Sequence, residues 1–315
     1  MRLEPDSELA RLLAKARVTR LPESLESMLC HQVIALAKTG DGADRALSLA
    51  MISLFGEEGY IASNEHGDAR VLFADPVHMQ LQRDSFTLWP SVPLPLAQDE
   101  ASALIDALNA HFVDDGLDFL VGGSGHWYVR IGRSPEIETR HPESAIGRDV
   151  HGFLPSGPDA VRWKSLSNEI QMLLHMHPVN QRREERGLLT CNSLWFWGDG
   201  RVVPRLAHES TISVFGETSL INGLTNLGYV DRKESLSALA GVNDGEAVFC
   251  WLNEAAVVES SLKIAVDGLK RGMFHDLRIN IADRGDVCQA SLGRWDMYKF
   301  WKRPRAVREI LLVSE

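Results

Sequence analysis

NEIQMLLHMHPVNQRREERG, residues 168–187, holds two histidines two apart, an H-P-V-N turn, three arginines and a closing glycine. Just upstream, Trp163, Leu166, Ile170 and Leu173 fall at i, i+3, i+7 and i+10. That spacing predicts an amphipathic helix packed on something. His175 and His177 sit about 200° apart around such a helix, which disfavours a shared metal ion. Pro178 pushes His177 out of helical conformation, and an imidazole near the helix end would cap free carbonyls. Asn180 is the expected N-cap of a second, short helix that closes at Gly187. Arg182, Arg183 and Arg186 then form a cationic group. Free amides at a helix start together with guanidinium forks suit a phosphate. Glu184 and Glu185 sit among the arginines, so a salt-bridged, solvated turn stays open as the plainer reading.

Working outward, the chain has 315 residues, 44% of them hydrophobic and 24% charged, which is globular rather than disordered composition. Its net charge of −10 argues against broad, sequence-independent nucleic-acid binding. The four cysteines form no C-x-x-C pair, so a zinc ribbon or redox motif is not expected. No apolar run has the length of a membrane span and the N-terminus does not read as a signal peptide, so a cytoplasmic protein with reduced thiols is expected. SELARLLAKA predicts a first helix, with others near residues 23–38 and 42–55. VLFADPVHMQ predicts a strand ending at Asp75-Pro76, and SFTLWPSVPLPLAQDE a connection. EASALIDALNAHF reads as a helix and LDFLVGGSGHWYVRIG as a hairpin with GGSG at its turn. NSLWFWG predicts a strand buried on both faces, and TSLINGLTNLGY a helix capped by Thr218 or Ser219. AVFCWL, a helix aligning Val258, Leu262, Ala265 and Leu269, and LRINIAD stopped at Arg284-Gly285 predict a parallel βαβ element.

The run NEIQMLLHMHPVNQRREERGLLTCNSLWFWGDG resembles the end of the inserted domain of archaeal-type, cofactor-independent phosphoglycerate mutases, of the alkaline phosphatase superfamily. The succession is helix, H-P-x-N turn, Arg-rich segment, Gly-Leu, Asn, and an apolar strand ending in a glycine-rich turn. The match is moderate over some 30 residues and weak elsewhere. The whole chain is closer to a degenerate proteobacterial branch described in some cases as mutase-like and in others as regulatory. The resemblance implies an α/β fold: an alkaline-phosphatase-like core sheet flanked by helices, made from residues 1–74 and 191–315, with an inserted α+β lobe over 75–190. It also implies a two-metal site held by Asp and His around a Ser or Thr nucleophile. Here the start of the chain is a helix pattern, so Asp6 is not the early ligand. Asn253 stands at one ligand position and Val257 at another, and Asp283 is followed by Arg284 where a His belongs. Valine cannot ligate and arginine repels a metal, so a two-metal site is hard to build.

The expectation is therefore the scaffold without the reaction: no catalytic residue, metal or cofactor is assigned. Arg148, Arg182, Arg183, Arg186 and Arg284 are the anion-binding candidates, with Arg284 as a fixed positive charge in place of a metal. A small phosphorylated ligand or a protein partner is the expected occupant. An active metal-dependent phosphomutase or phosphatase is the alternative. A third reading is an adaptor that docks through RWDMYKFWKRPR, by Trp295, Tyr298, Lys299, Trp301, Lys302 and Arg303. Interleaved aromatic and basic residues suit a protein hot spot or a single nucleic-acid strand. The plainer expectation is that these aromatics seal the core while the cations snorkel outward.

Overall fold

The structure, a computed structural model, describes residues 7–36, 48–57, 70–83, 85–132, 135–200, 212–234, 247–252, 255–299 and 302–303. The fold is α/β, with sheets flanked by helices, in two compact units. One unit comprises residues 1–29, 210–217 and 230–315, and the other 30–209 and 218–229.

In the first unit, α1 (Glu8–Lys15) is capped by the Ser7 side chain, which accepts from the Ala10 amide. Its Leu9, Leu12 and Leu13 meet Leu262, Val266 and Leu269 of α8 (Ala255–Arg271) over an antiparallel sheet. That sheet has the order β1 (Arg17–Leu21), β12 (Asp286–Gly293), β11 (Asp276–Asp283). The strands β11 and β12 form a two-residue hairpin, because Asp283 pairs with Asp286 across Arg284 and Gly285. Both turn residues have positive φ, 54° at Arg284 and 86° at Gly285, as a type I′ turn requires. This corrects the parallel βαβ expectation. The preceding strand, β10 (Ala247–Cys250), pairs instead with β8 (Ile212–Phe215) in a separate parallel sheet, β10-β8-β9, with β9 at Asp231–Lys233.

The second unit is built on an antiparallel sheet of order β5 (Leu117–Val121), β6 (Trp127–Ile131), β2 (Arg70–Val77), β7 (Ser193–Trp197). The expected hairpin is β5-β6, and β7 is buried along its whole length. β2 runs through the expected end at Asp75-Pro76 and stops one residue later, at Val77. Its first half pairs with β6 and its second half only with β7, so proline's missing N–H falls where no neighbouring strand needs it. The proline-rich connection after it holds a short hairpin, β3 (Met79–Leu81) with β4 (Phe86–Leu88).

Successive side chains of β2 divide between two layers. Leu72 and Ala74 join the core with Leu104, Leu108 and Ile170 of α4 (Gln98–His111) and α5 (Ala160–His175). Phe73 and Asp75 lie on the opposite face. There α3 (Leu49–Phe55) packs on β2 and on α7 (Ser219–Asn226). A Cβ on Gly223 would lie 1.8 Å from the Ile52 carbonyl oxygen, so this helix pair touches backbone to backbone.

The opening stretch resolves into α5 and α6 (Pro178–Glu185). The N-cap of α6 is His177, not Asn180: the imidazole accepts from the Val179 amide at 3.2 Å and Pro178 takes the first helical position. His177 thus caps amides rather than carbonyls. Asn180 is buried inside the helix, donating to the carbonyls of Leu174 (2.8 Å) and Cys191 (2.7 Å) and accepting from the Cys191 amide. Gly187, at φ 68°, closes the helix as the sequence suggests.

Candidate functional site

Among the described residues, a connected group of chemistry-bearing side chains lies in the second unit, at the β2, β6 and β7 end that meets the GGSG turn. Asp75 is fully buried in the middle of an apolar strand. A buried carboxylate needs donors, and Asp75 has several. The His126 Nδ1 lies 2.9 and 3.1 Å from its two oxygens, the Trp127 amide donates at 3.2 Å, and the Trp197 indole donates at 2.8 Å. With Asp75 accepting, the proton sits on His126 Nδ1 and Nε2 is directed away from the carboxylate. Phe73 stacks on Trp197 with centroids 4.2 Å apart and meets His126 at 4.9 Å, which fixes the imidazole plane.

A second buried carboxylate lies beside it. Glu57 follows the end of α3 and accepts from the Tyr128 phenol at 2.5 Å, the Ser124 hydroxyl at 2.5 Å and the Ser124 amide at 3.1 Å. Burial, then the Glu57 charge, holds the Tyr128 hydroxyl far above its usual pKa, so it stays protonated and donates to Glu57 while its oxygen accepts from the Ser219 side chain. The turn is Gly-rich for a reason: a Cβ on Gly122 would sit 2.5 Å from Glu57 Oε1. Chemically, an imidazole oriented by a carboxylate can hold a proton or donate to an anion. No spacing motif links Glu57, Asp75 and His126. The available signal was a lone Asp inside the apolar run VLFADPV, which burial obliges to find donors.

The predicted anion-binding residues are dispersed. Arg183 is buried: it pairs with Glu100 at 2.5 Å and donates to the carbonyls of Leu189 (2.7 Å) and Pro95 (3.3 Å). Arg182 is exposed, as is Arg186, which lies 3.9 Å from Glu100. Burial, then the Arg182 charge, lowers the His177 pKa and keeps that ring neutral near pH 7. Arg148 lies over the Phe153 ring at 4.4 Å and donates to the Ser144 carbonyl. Arg284 occupies the tip of the β11-β12 hairpin. Two cavities of about 400 and 250 Å³ lie in the second unit, and neither is lined by Arg148, Arg182, Arg183 or Arg186.

Of the degenerate metal positions, Asn253 lies outside the described residues. Val257 is on α8. Asp283 ends β11 and is held by Arg20 at 2.7 Å, while Asp286 holds the same guanidinium at 2.9 Å. Among the described residues no group of three or more His, Cys, Asp or Glu is placed to hold a metal ion. In the C-terminal aromatic-basic segment, Trp295 and Tyr298 are exposed and do not seal the core; Met297 does. Lys299 pairs with Asp296, Lys302 and Arg303 are exposed, and Trp301 lies outside the described residues.

No protein-family model matches the chain. Among curated proteins it is similar to the 2,3-bisphosphoglycerate-independent phosphoglycerate mutase of Methanosarcina barkeri, 30% identical over 136 residues, 41% of this chain and 34% of that protein. The Methanosarcina mazei protein of the same name is 32% identical over 107 residues, 33% of this chain and 27% of that one. A probable enzyme of that name from Geobacter sulfurreducens is 31% identical over 132 residues, 40% and 33% of the two chains. These matches thus span about a third of the relatives' length or less. Among solved structures, the cofactor-independent phosphoglycerate mutase of Thermoplasma acidophilum is 16% identical, covering 91% of this chain and 81% of that one, at a TM-score of 0.39. A Pyrococcus horikoshii protein is 11% identical, covering 96% and 84%, at 0.44.

Proposed function

We propose that this chain is a non-catalytic relative of the cofactor-independent phosphoglycerate mutases, a degenerate branch on an alkaline-phosphatase-like scaffold. In this reading it acts in the cytoplasm as a regulatory protein that binds a small phosphorylated anion. The similarity to curated mutases supports the kinship. The observation that carries the loss of chemistry is the use made of Asp283. The resemblance assigns a metal ligand there, and here two carboxylates clamp one guanidinium between them. Asp286, then Asp283, raise the Arg20 pKa further above its usual value, so the cation does not leave by deprotonation. The described residues therefore do not fit a two-metal centre. Asp75 and Glu57 are likewise satisfied by protein donors. For the anion, the exposed Arg182 in α6 and Arg186 at its C-cap are one helical turn apart.

The test joins three measurements on the full chain: bound metal by elemental analysis, mutase and phosphatase assays with added Mn²⁺, Mg²⁺ or Zn²⁺, and calorimetric titration with 3-phosphoglycerate. The expected result is no turnover, with saturable binding weakened when Arg182 and Arg186 are both replaced by Ala. Two equivalents of metal with chelator-sensitive turnover would restore the active-enzyme alternative. A protein partner is the second reading, favoured by the exposure of Trp295.

A further inference from the structure

We propose that the face formed by residues 294–299 with Lys302 and Arg303 docks an acidic peptide segment of a partner protein, with Trp295 and Tyr298 as its anchors; this deepens, and rests on, the partner reading above. The local chain dictates the display. Residues Arg294–Tyr298 form a 3₁₀ turn. The Asp296 carboxylate fixes it by accepting from the Gly293 amide at 2.8 Å and pairing with Lys299 at 2.5 Å. Met297 points into the core with Leu9, Leu262 and Leu269, and its carbonyl accepts from the Lys15 ammonium at 3.1 Å. A 3₁₀ helix has three residues per turn, so i and i+3 eclipse. Burying Met297 therefore turns Trp295 and Tyr298 outward together, with ring centroids 6.2 Å apart. They are 80% and 56% exposed. A tryptophan left that open on a turn this firmly tied down is an anchor without its pocket.

The charge around the anchors is predominantly basic, and Asp276, the cross-strand neighbour of Gly293, is already paired with Arg278. Residues 294–303 carry four basic residues against one acidic, in a chain of net charge −10. The single acid, Asp296, is neutralised by Lys299, while Arg294, Lys302 and Arg303 are exposed. Arg294 also reaches the end of α8, since a Cβ on Gly272 would lie 3.6 Å from its Nη1. Exposed Lys270 and Arg271 at that helix end extend the basic ground. Two aromatic anchors ringed by cations match a segment that presents apolar side chains among carboxylates. Nucleic acid fits less well. The two rings are tilted by 45°, so they offer no common stacking plane for successive bases. A strand long enough to leave the patch also meets a chain of net charge −10.

The experiment is fluorescence anisotropy on the full chain with three labelled probes: a short peptide of Glu, Asp and Leu, the same peptide with Lys for each acid, and an oligo(dT) of equal length. The expected result is saturable binding of the acidic peptide alone, weakened by added salt. Trp295→Ala should lower the affinity by ~30-fold or more and Lys302→Glu/Arg303→Glu by ~10-fold, with circular dichroism unchanged because these side chains are exposed. Binding of the Lys peptide that depends on Trp295 would keep a docking face and overturn its acidic occupant. Preference for oligo(dT) would overturn the peptide in favour of nucleic acid. No binding of any probe, or binding of the acidic peptide indifferent to Trp295→Ala and Tyr298→Ala, would sink both the occupant and the face.

Discussion

Replacing Glu100 by Gln asks whether Arg183 is a structural clamp or a cation free for ligand. The Arg183–Glu100 pair is nearly dry, with side-chain exposures of 7% and 11%. Glu100 Oε2 also accepts from the Ala97 amide at 3.1 Å, capping α4. Glu100→Gln keeps that volume but removes the charge, and leaves the guanidinium with the carbonyls of Leu189 and Pro95. One-sided loss of a buried pair costs about 3–5 kcal/mol. Because two carbonyl partners remain, the low end, ~3 kcal/mol, is expected. Arg183→Met strands the carboxylate instead and should cost a similar amount. The double variant removes both charges, so it should cost less than the sum of the two by about 2 kcal/mol. Arg182→Ala, at an exposed position on the same helix, should stay within ~0.5 kcal/mol of the parent. Urea unfolding followed by tryptophan fluorescence reads this unit, whose Trp127, Trp163, Trp195 and Trp197 are all buried. Single effects below ~1 kcal/mol that simply add would refute the clamp and return Arg183 to the pool of anion-binding cations.

Gly223→Ala is a favourable change in an exposed helix interior, by up to ~1 kcal/mol. Here the new methyl would lie 1.8 Å from the Ile52 carbonyl, so a loss of roughly 3 kcal/mol or more is expected in the same unfolding assay; a stabilised variant would mean that α3 and α7 do not meet. Burial pushes the Cys191 thiol up to about 12, so iodoacetamide at mildly alkaline pH should leave it unmodified until the chain is unfolded. Mass spectrometry of native and denatured samples checks this, and native alkylation would contradict it. The Lys299 ammonium and the Gly293 amide hold the Asp296 carboxyl below its usual value. A lowered folded pKa contributes stability above the unfolded value of about 4, and that contribution is lost as pH falls through the folded one. Trp295 emission should change only below about pH 4, and Asp296→Asn should abolish the step.

Local patterns were readable where one element decides its own fate. The α5 periodicity, the β5-β6 hairpin, the buried β7 and the Gly187 closure all follow from spacing or from backbone requirements at single positions. Asn180 was misread, and the partners that allow Pro76 inside a strand were not foreseen, because both environments are set by distant chain. Asn180 takes partners from the α5 end and Cys191, and Pro76 is tolerated because β6 pairs only with the other half of β2. β1 was not anticipated at all: RVTRL is short and half polar, and only pairing with β12 makes it a strand. The Glu57–Tyr128 and Asp75–His126 contacts span 71 and 51 residues, so no local motif brings them to notice. The arginines of the opening stretch show the opposite limit. Sequence adjacency suggested one cationic group, but helical rotation sends Arg183 inward and leaves Arg182 and Arg186 outside.

The pairing of β1 with β12 also governs how the protein can be made. Arg20 meets Asp286 across a separation of 266 residues. At roughly 5–20 residues per second, a ribosome needs on the order of 13–50 s between delivering the first strand and delivering its partner. Throughout that interval the nascent chain carries the apolar stripe of α1 with neither its sheet nor α8 to cover it, while the continuous stretch 30–209 is already long enough to collapse. Vectorial synthesis therefore favours completion of the inner unit first, and leaves the amino-terminal helix and strand as the part that cotranslational chaperones would hold.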